Sequence, residues 1–287
     1  MALDATLVAP AAASTEAAAA LADWLAAHRC VFVLTGAGVS TGSGIPDYRD
    51  ADGAWKRRPP ITFQAFTGDA LARARYWARS FVGWPGFAAA RPNVAHAALA
   101  RLERDGRLSM LLTQNVDRLH QRAGHAHVVD LHGRLDVVRC LGCEARVPRE
   151  DVQARLATDN PDWTGLQARR APDGDADLDG VDFARFVAPA CDRCGGLLKP
   201  DVVFFGENVP RDRVADAQAA LAASEAMLVV GSSLMVYSGF RFARAARDAG
   251  LPLAILTRGV TRADPLATLK LDAECGATLD AALALTR

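Results

Sequence analysis

The sequence has no surplus of charge. Its 287 residues carry 33 Lys and Arg against 33 Asp and Glu, a formal net charge of +0. A nucleic-acid-binding domain leaves a basic footprint, and so does a protein held on an anionic membrane, so neither partner is expected. No apolar run approaches the roughly 18 residues of a membrane span. Met1 to Ala20 is Ala-rich, with Asp4 and Glu16 and no early Lys or Arg. It therefore lacks the basic start of a signal peptide and the Arg-rich face of a transit peptide, and the expected location is the cytoplasm. Cysteines are few, six in all, and an intracellular chain uses them as metal ligands or free thiols before disulfides. There is no internal repeat, no low-complexity linker and no clear interface heptad, which leaves a monomer as the expectation.

What is present is core-forming. Hydrophobic residues make up 51% and charged residues 23%, enough for one large domain or a large and a small one. Short apolar runs recur at Cys30 to Leu34, Ser109 to Thr113, Ala226 to Val230 and Leu253 to Leu256. Helical patterns occupy Thr15 to His28, Arg211 to Ala223 and Phe240 to Ala249. Strand–helix alternation of this kind predicts an α/β fold, a doubly wound, Rossmann-like parallel sheet. Two stretches break the alternation. Residues 51–91 are rich in Arg, Trp and Phe and mostly helical in pattern; residues 137–199 hold two cysteine pairs around a polar, acidic middle. The expected organisation is a large Rossmann-like domain from 1–50, 92–136 and 200–287, a helical insertion 51–91 and a small inserted module 137–199, with the functional cleft at the carboxyl ends of the strands.

The most specific chemistry lies in Cys140-x-x-Cys143 and Cys191-x-x-Cys194. Two close thiolate pairs suit one tetrahedral, structural Zn2+; a redox dithiol is the weaker reading of two pairs in one insertion. Other motifs are ambiguous singly. Gly36-Ala37-Gly38-Val39-Ser40 follows a strand, as a phosphate cradle does, but the third glycine of G-x-G-x-x-G is absent, so a simple turn stays open. Gln114-Asn115-Val116-Asp117 places polar side chains at a strand's carboxyl end, for a ligand or for a helix cap. His132, between Val128-Val129 and Gly133, is a candidate general base near neutral pH or a packed histidine. Gly231-Ser232-Ser233 suits a phosphate or ribose contact, or again a cap. The acidic run Asp175 to Gly180 opens like a calcium loop but has Phe186 where the loop needs a bidentate Glu, and it is expected to be a solvated loop.

Taken together, these motifs and two more, Gly44-Ile45-Pro46-Asp47-Tyr48-Arg49 and Lys199-Pro200-Asp201-Val202-Val203-Phe204-Phe205-Gly206-Glu207, resemble the sirtuin family from about Cys30 to Cys275. Tyr76-Trp77-Ala78-Arg79, Phe81-Val82-Gly83-Trp84-Pro85 and Val236-Tyr237-Ser238-Gly239 are similar to its class II branch, which includes a mitochondrial animal sirtuin; the Ala/Arg-rich composition suits a bacterial member. The resemblance implies an NAD-dependent protein lysine deacylase acting on acyl-lysine proteins or peptides. NAD is consumed: nicotinamide leaves, the acyl oxygen attacks the ribose, and the products are free lysine, nicotinamide and O-acyl-ADP-ribose. It implies His132 as base, Asn115 holding ribose or an ordered water, and Asp117 on the nicotinamide amide. NAD contacts would come from Gly36, Ala37, Gly38, Ser40, Thr41, Ile45, Asp47, Tyr48, Arg49, Gln114, Val116, Gly231, Ser232, Ser233, Thr257, Arg258, Gly259 and Cys275. The substrate would add as a strand between the Val203, Phe205, Gly206, Glu207 loop and Leu234 to Ser238, with Val236 in contact. Thr257 stands where many relatives have Asn, which touches the NAD affinity; Phe240 stands where close relatives often have Tyr. Mono-ADP-ribosyl transfer from the same NAD site and a weakly catalytic NAD sensor are the rival activities. Tyr76 and Arg79 match a Tyr-x-x-Arg pair that another sirtuin branch uses to bind acidic acyl groups, because Arg pairs bidentately with carboxylate; a surface Arg at common i, i+3 spacing is the plain alternative.

Overall fold

The computed structural model describes residues 15–56, 60–166, 169–170, 173–178 and 180–286. The first 14 residues, which carry most of the Ala-rich start, and Asp179 of the acidic run lie outside these. Six strands form one parallel sheet: β1 (Val31–Thr35), β2 (Leu108–Thr113), β3 (Val128–Asp130), β9 (Ala226–Val230), β10 (Leu253–Leu256) and β11 (Leu269–Leu271), in spatial order β11-β10-β9-β1-β2-β3. Every residue of β1, β9 and β10 is buried, as expected when helices cover both faces of a parallel sheet.

Alternate residues of the central strands feed opposite cores. Val31, Val33, Leu228, Val230 and Leu256 pack with α1 (Thr15–Ala27), α4 (Val94–Arg104) and α9 (Cys275–Leu285). Phe32, Leu34, Met227, Val229 and Ile255 pack with α7 (Arg211–Ala222) and α8 (Tyr237–Asp248). Short polar side chains start the helices where the apolar period begins. Asn93 accepts from Ala95 N to open α4, and Glu274 accepts from Gly276 N and Ala277 N to open α9; each such cap contributes about 1 kcal/mol.

The rest forms a second layer. A three-stranded antiparallel sheet, β5-β4-β8, is built from β4 (Gly133–Cys140), β5 (Arg146–Pro148) and β8 (Leu198–Val202), and is flanked by α6 (Arg149–Asp159). A small hairpin joins β6 (Arg169–Arg170) and β7 (Ala176–Asp177). Within 51–91 the helices are α2 (Phe63–Gly68) and α3 (Ala70–Ala88). Phe66, Trp77 and Phe81 share one core with Val138, Leu156, Leu198 and Phe204, so the helical stretch and the cysteine-bearing sheet brace each other.

The first half of the acidic run, Asp175 to Asp177, is not a solvated loop. Asp175 is buried, at 3% exposure, and Ala176 and Asp177 form β7. Gly83 of α3 explains the burial: a Cβ there would lie 2.3 Å from the Gly174 carbonyl, so the helix backbone packs directly onto the acidic segment. Burial first, then the charge of Asp173, holds the Asp175 carboxyl well above the usual carboxylate range. Among the described residues no helix is long and apolar enough to cross a membrane.

Candidate active site

The chain runs from β1 outward to β2 and β3, then returns to lay β9, β10 and β11 on the other side of β1. The reversal lies between β1 and β9, where an open α/β sheet has its natural crevice. The loops after these two strands are pressed together: Gly38 N donates to the Gly231 carbonyl at 2.8 Å. Gly231 has φ +62, and a Cβ there would sit 2.4 Å from Val39 N. No other residue tolerates both the conformation and the contact.

A cleft of about 640 Å³ opens at this point. One wall carries Gly36, Ala37, Gly38, Ser40 and Ile45, with Asp47, Tyr48 and Arg49 on the following loop. The facing wall carries Gly231, Ser232, Ser233, Thr257 and Arg258. Between them lie Gln114, Asn115, Val116 and Asp117 after β2, and His132 after β3. The far end holds Tyr76, Val203, Phe205, Gly206, Glu207 and Val236. Four candidates stay out of the lining. Thr41 is exposed and turns its hydroxyl onto the Gly38 carbonyl. Gly259 is pressed against the Ala51 backbone. Cys275 is 5% exposed, and its thiol faces the Leu256 carbonyl inside the sheet core. Arg79 points away, its Nε donating to the Ala176 carbonyl at 2.9 Å and its guanidinium pairing with Asp177 at 3.2 Å. Arg79 is engaged by the β6–β7 hairpin and outside the cleft lining, so the Tyr76–Arg79 pair is not assembled in the cleft.

The polar residues of the middle form one network. Ser40 Oγ donates to Asp117 at 2.7 Å, and Asn115 Nδ2 donates to Ser40 Oγ at 3.1 Å and to the Gly36 carbonyl at 3.0 Å. Asp117 also accepts from Leu119 N at 2.9 Å, at the start of α5 (Leu119–Arg122), whose N-cap is Arg118, while it lines the cleft. Burial raises the Asp117 pKa, against the lowering effect of the Leu119 and Ser40 hydrogen bonds. Gln114 Nε2 donates to Ser232 Oγ at 2.7 Å, tying the two cleft walls.

His132 is held at both ring nitrogens. Nδ1 lies 3.1 Å from the Gln114 carbonyl and Nε2 lies 2.8 Å from Ser238 Oγ. A carbonyl only accepts, so Nδ1 carries the proton and the Nε2 lone pair faces Ser238 and the cleft. The ring is half-buried. Enclosure by protein, and to a smaller extent the Arg213 and Arg241 charges, push its pKa down to about 4, against the lift from the Gln114 carbonyl. It is a neutral imidazole at neutral pH. Ser238, Trp55 and Arg241 were not among the sequence candidates for this site, although Ser238 ends the stretch expected to pair with substrate. Arg49 lies 4.0 Å over the Trp55 ring, a contact within one short segment.

The four sequence-paired cysteines come together in the antiparallel layer, their sulfurs all within 4.8 Å of one another. Cys140 and Cys194 sulfurs are 3.5 Å apart, and those of Cys143 and Cys191 are 3.7 Å apart. A tetrahedron with Zn–S of about 2.3 Å has edges of about 3.8 Å, so the donor set fits one zinc ion. Gly142 N donates to Cys140 Sγ at 3.3 Å, stabilising a thiolate. With four protein ligands the site is closed and supports the fold, not the reaction.

Comparison with known proteins agrees with this geometry. Residues 36–238 match the Sir2 family. The chain is 63% identical over 267 residues to a protein of Xanthomonas campestris pv. campestris (strain 8004) named "NAD-dependent protein deacetylase", covering 93% of this chain and 91% of that one. It is 47% identical over 259 residues to "NAD-dependent protein deacylase Sirt4" of Drosophila melanogaster, covering 89% and 83%. A solved structure described as "Sir2-p53 peptide-NAD+" superposes with a TM-score of 0.71 at 31% identity, covering 93% of this chain and 95% of that one.

Proposed function

The chain belongs to the Sir2 family, and on that premise we infer that it is an NAD-dependent protein deacylase that uses His132 as its general base. The observation that carries the assignment is the imidazole pinned at Nδ1 by the Gln114 carbonyl, with a neutral Nε2 turned to the cleft. NAD is the co-substrate and supplies the ribose carbon to which the acyl oxygen is transferred. The protein's part is to hold, orient and move one proton. In the Gly36 to Ser40 loop the N–H groups of Gly36, Gly38, Val39 and Ser40 are bonded within the fold, so phosphate is met by the close approach that the side-chain-free glycines allow, and Arg49, fixed over Trp55, adds positive charge. Asn115 is locked by Ser40 and Gly36 so that its amide meets ribose in one orientation. Asp117, with its raised pKa, offers its carboxyl to the nicotinamide amide. His132 Nε2 then takes a proton from a ribose hydroxyl, and Ser238 yields that position to it.

The acyl-lysine segment lies between Phe205 to Glu207 and Leu234 to Ser238. Glu207 is anchored there through one oxygen: Oε2 pairs with buried Lys199 at 2.9 Å and accepts from Phe204 N at 2.7 Å, which stiffens the loop that receives the substrate. Tyr76, in the cleft among Phe66, Trp77 and Phe204, lines the acyl end with aromatic surface. Thr257, 7% exposed, takes the adenosine end. Acyl-lysine proteins or peptides are the partners, met by a monomer in the cytoplasm; thiolate ligands suit a reducing compartment. The organisation proposed for the chain is a Rossmann-like part from 1–50, 92–136 and 200–287, with 51–91 and 137–199 as insertions, the sheet of the second insertion reaching back to Gly133 and on to Val202.

The test is nicotinamide release from NAD with acetyl-, glutaryl-, lipoyl- and long fatty acyl-lysine peptides, alongside His132→Tyr. Release that needs both peptide and His132 is expected. Adenine-labelled NAD should yield a labelled small product; label left on protein instead would mean ADP-ribosyl transfer.

A further inference from the structure

Most basic side chains around the cleft are committed. Arg49 donates to the Gly53 carbonyl at 2.7 Å and stacks on Trp55. Arg213 donates to the Asp130 carbonyl at 3.2 Å. Lys199 is paired with Glu207. Arg258 is exposed to solvent at the adenosine end. Arg241 differs from all of these. It sits on α8 one turn after Tyr237 and Ser238, and it lines the cleft. Its Nε is shielded from solvent and has no hydrogen-bond partner. Among the described residues no carboxylate pairs with it, and its guanidinium carbon lies 5.4 Å from the centre of the Tyr237 ring.

A shielded Nε left without an acceptor is a cost, and at Arg241, unlike the orphaned nitrogens of Arg107, Arg139 and Arg149, the open cleft lets an acceptor enter. The surroundings say which sign that is. The acidic groups on this wall are spent: Glu207 on Lys199 and Phe204 N, Asp130 on Arg118 and Gln121. The first turn of α8 adds the positive end of a helix. Arg241 and Arg213 are both close enough to His132 to help keep it neutral. The wall next to the base is therefore positive and open, on the side where the substrate backbone is placed and away from the Gly36 to Ser40 phosphate loop.

We propose that Arg241 is a carboxylate-binding residue of the substrate groove, so that the enzyme selects acyl-lysine substrates carrying an acidic group beside the reacting amide. The proposal rests on the deacylase reading. The carboxylate comes from an Asp or Glu flanking the lysine or from the end of an acidic acyl chain; planar Arg meets either one bidentately. The Tyr237 face, 52% exposed, backs the guanidinium and keeps it directed into the groove.

The experiment compares kcat/KM for acetyl-lysine peptides with Glu, Gln or Lys at each flanking position, and for glutaryl- against acetyl-lysine in a neutral peptide, using wild type, Arg241→Gln, Arg241→Lys and Arg241→Glu. The readout is the acidic-to-neutral ratio, which a general loss of activity does not move. Wild type is expected to favour one acidic arm about tenfold, as a charged hydrogen bond at a half-open site would give. Arg241→Gln should bring the ratio to near one, Arg241→Lys should keep part of it, and Arg241→Glu should favour the Lys peptide. The favoured arm identifies the source of the carboxylate. A wild-type ratio near one in both arms, or an undiminished ratio in Arg241→Gln, overturns the proposal. Should no peptide support nicotinamide release, the deacylase reading fails separately, and anisotropy of labelled peptides on the NAD-saturated protein reads the same ratio.

Discussion

Gly239→Ala separates stability from function in this cleft. Gly239 lies in the first turn of α8 with ordinary helical geometry, and it is buried against Gln114. A Cβ would stand 2.5 Å from Gln114 Oε1 and 2.8 Å from Cδ. Those atoms end a flexible side chain, so the Gln114 amide can swing away. In doing so it gives up the 2.7 Å bond to Ser232 Oγ, a loss of about 0.5–1.5 kcal/mol. Ala for Gly inside a helix returns up to about 1 kcal/mol, and less in a first turn. The two nearly cancel, and Tm should move by no more than about 4 °C. Function should not be spared. The displaced amide enters the cleft between Ser232 and Gly36, while the Gln114 carbonyl that orients His132 belongs to the backbone and stays. KM for NAD should rise about tenfold, about 1.4 kcal/mol, with kcat within about threefold. Thermal denaturation and initial rates of nicotinamide release measure both. A Tm loss beyond about 10 °C would mean the backbone cannot accommodate the methyl, and an unchanged KM would mean Gln114 plays no part in holding NAD.

Ser238→Ala removes the donor from His132 Nε2, and the lone-pair nitrogen should show it directly as a downfield 15N shift, restored in Ser238→Thr; an unchanged resonance would mean the 2.8 Å contact is not made in solution. Arg79→Ala should leave the ratio of glutaryl to acetyl turnover as it is in wild type, because that guanidinium is held by Asp177 and the Ala176 carbonyl; a changed ratio would put Arg79 back in the acyl pocket. His96 and His120 are buried, and burial pushes the first down to about 4 and the second well below its usual range. Both are neutral in the fold and take up protons near pH 6.5 when unfolded, so their stabilising effect is complete above pH 6.5 and is lost as pH falls toward 4. Asp117, Asp173 and Asp175, with raised pKa values, act in the opposite sense from about pH 3.9 upward. Replacing His96 and His120 by Gln should therefore make Tm fall less, or rise more, between pH 7 and 5 than in wild type, and an unchanged pH dependence would contradict the burial of the two histidines. Chelation of zinc, or Cys191→Ser, should unfold the β5-β4-β8 layer, since metal binding there supplies about 10 kcal/mol or more of folding free energy; circular dichroism beside zinc content would show it, and native spectra without zinc would refute it.

The central strands and the cysteine site were legible because their signals are local. A fully buried parallel strand needs an unbroken apolar run, and Val31 to Leu34 and Ala226 to Val230 provide one. A C-x-x-C pair sets two ligands within a few residues, and two pairs complete a tetrahedron whatever the intervening chain does. The edge strand Leu269–Leu271 carries no such run and was not anticipated. Each cleft motif was undecided alone because a turn, a helix cap and a ligand contact use the same small and polar residues; Asp117 bonds the first backbone N–H of a helix and faces the cleft at once.

By itself the sequence determined the alternation that makes a doubly wound sheet, the thiolate quartet, and the set of motifs by which the chain resembles its family. Tertiary structure alone decided what each polar side chain meets. Ser238 reaches His132 across 106 residues, and Asp177 neutralises Arg79 across 98. Whether a guanidinium is spent, as at Arg79, or open, as at Arg241, depends on which distant carboxylate the fold brings beside it. Residue type and spacing do not encode that, because a charge pair forms through space at a few ångströms and the chain between the partners is free to take any path that packs.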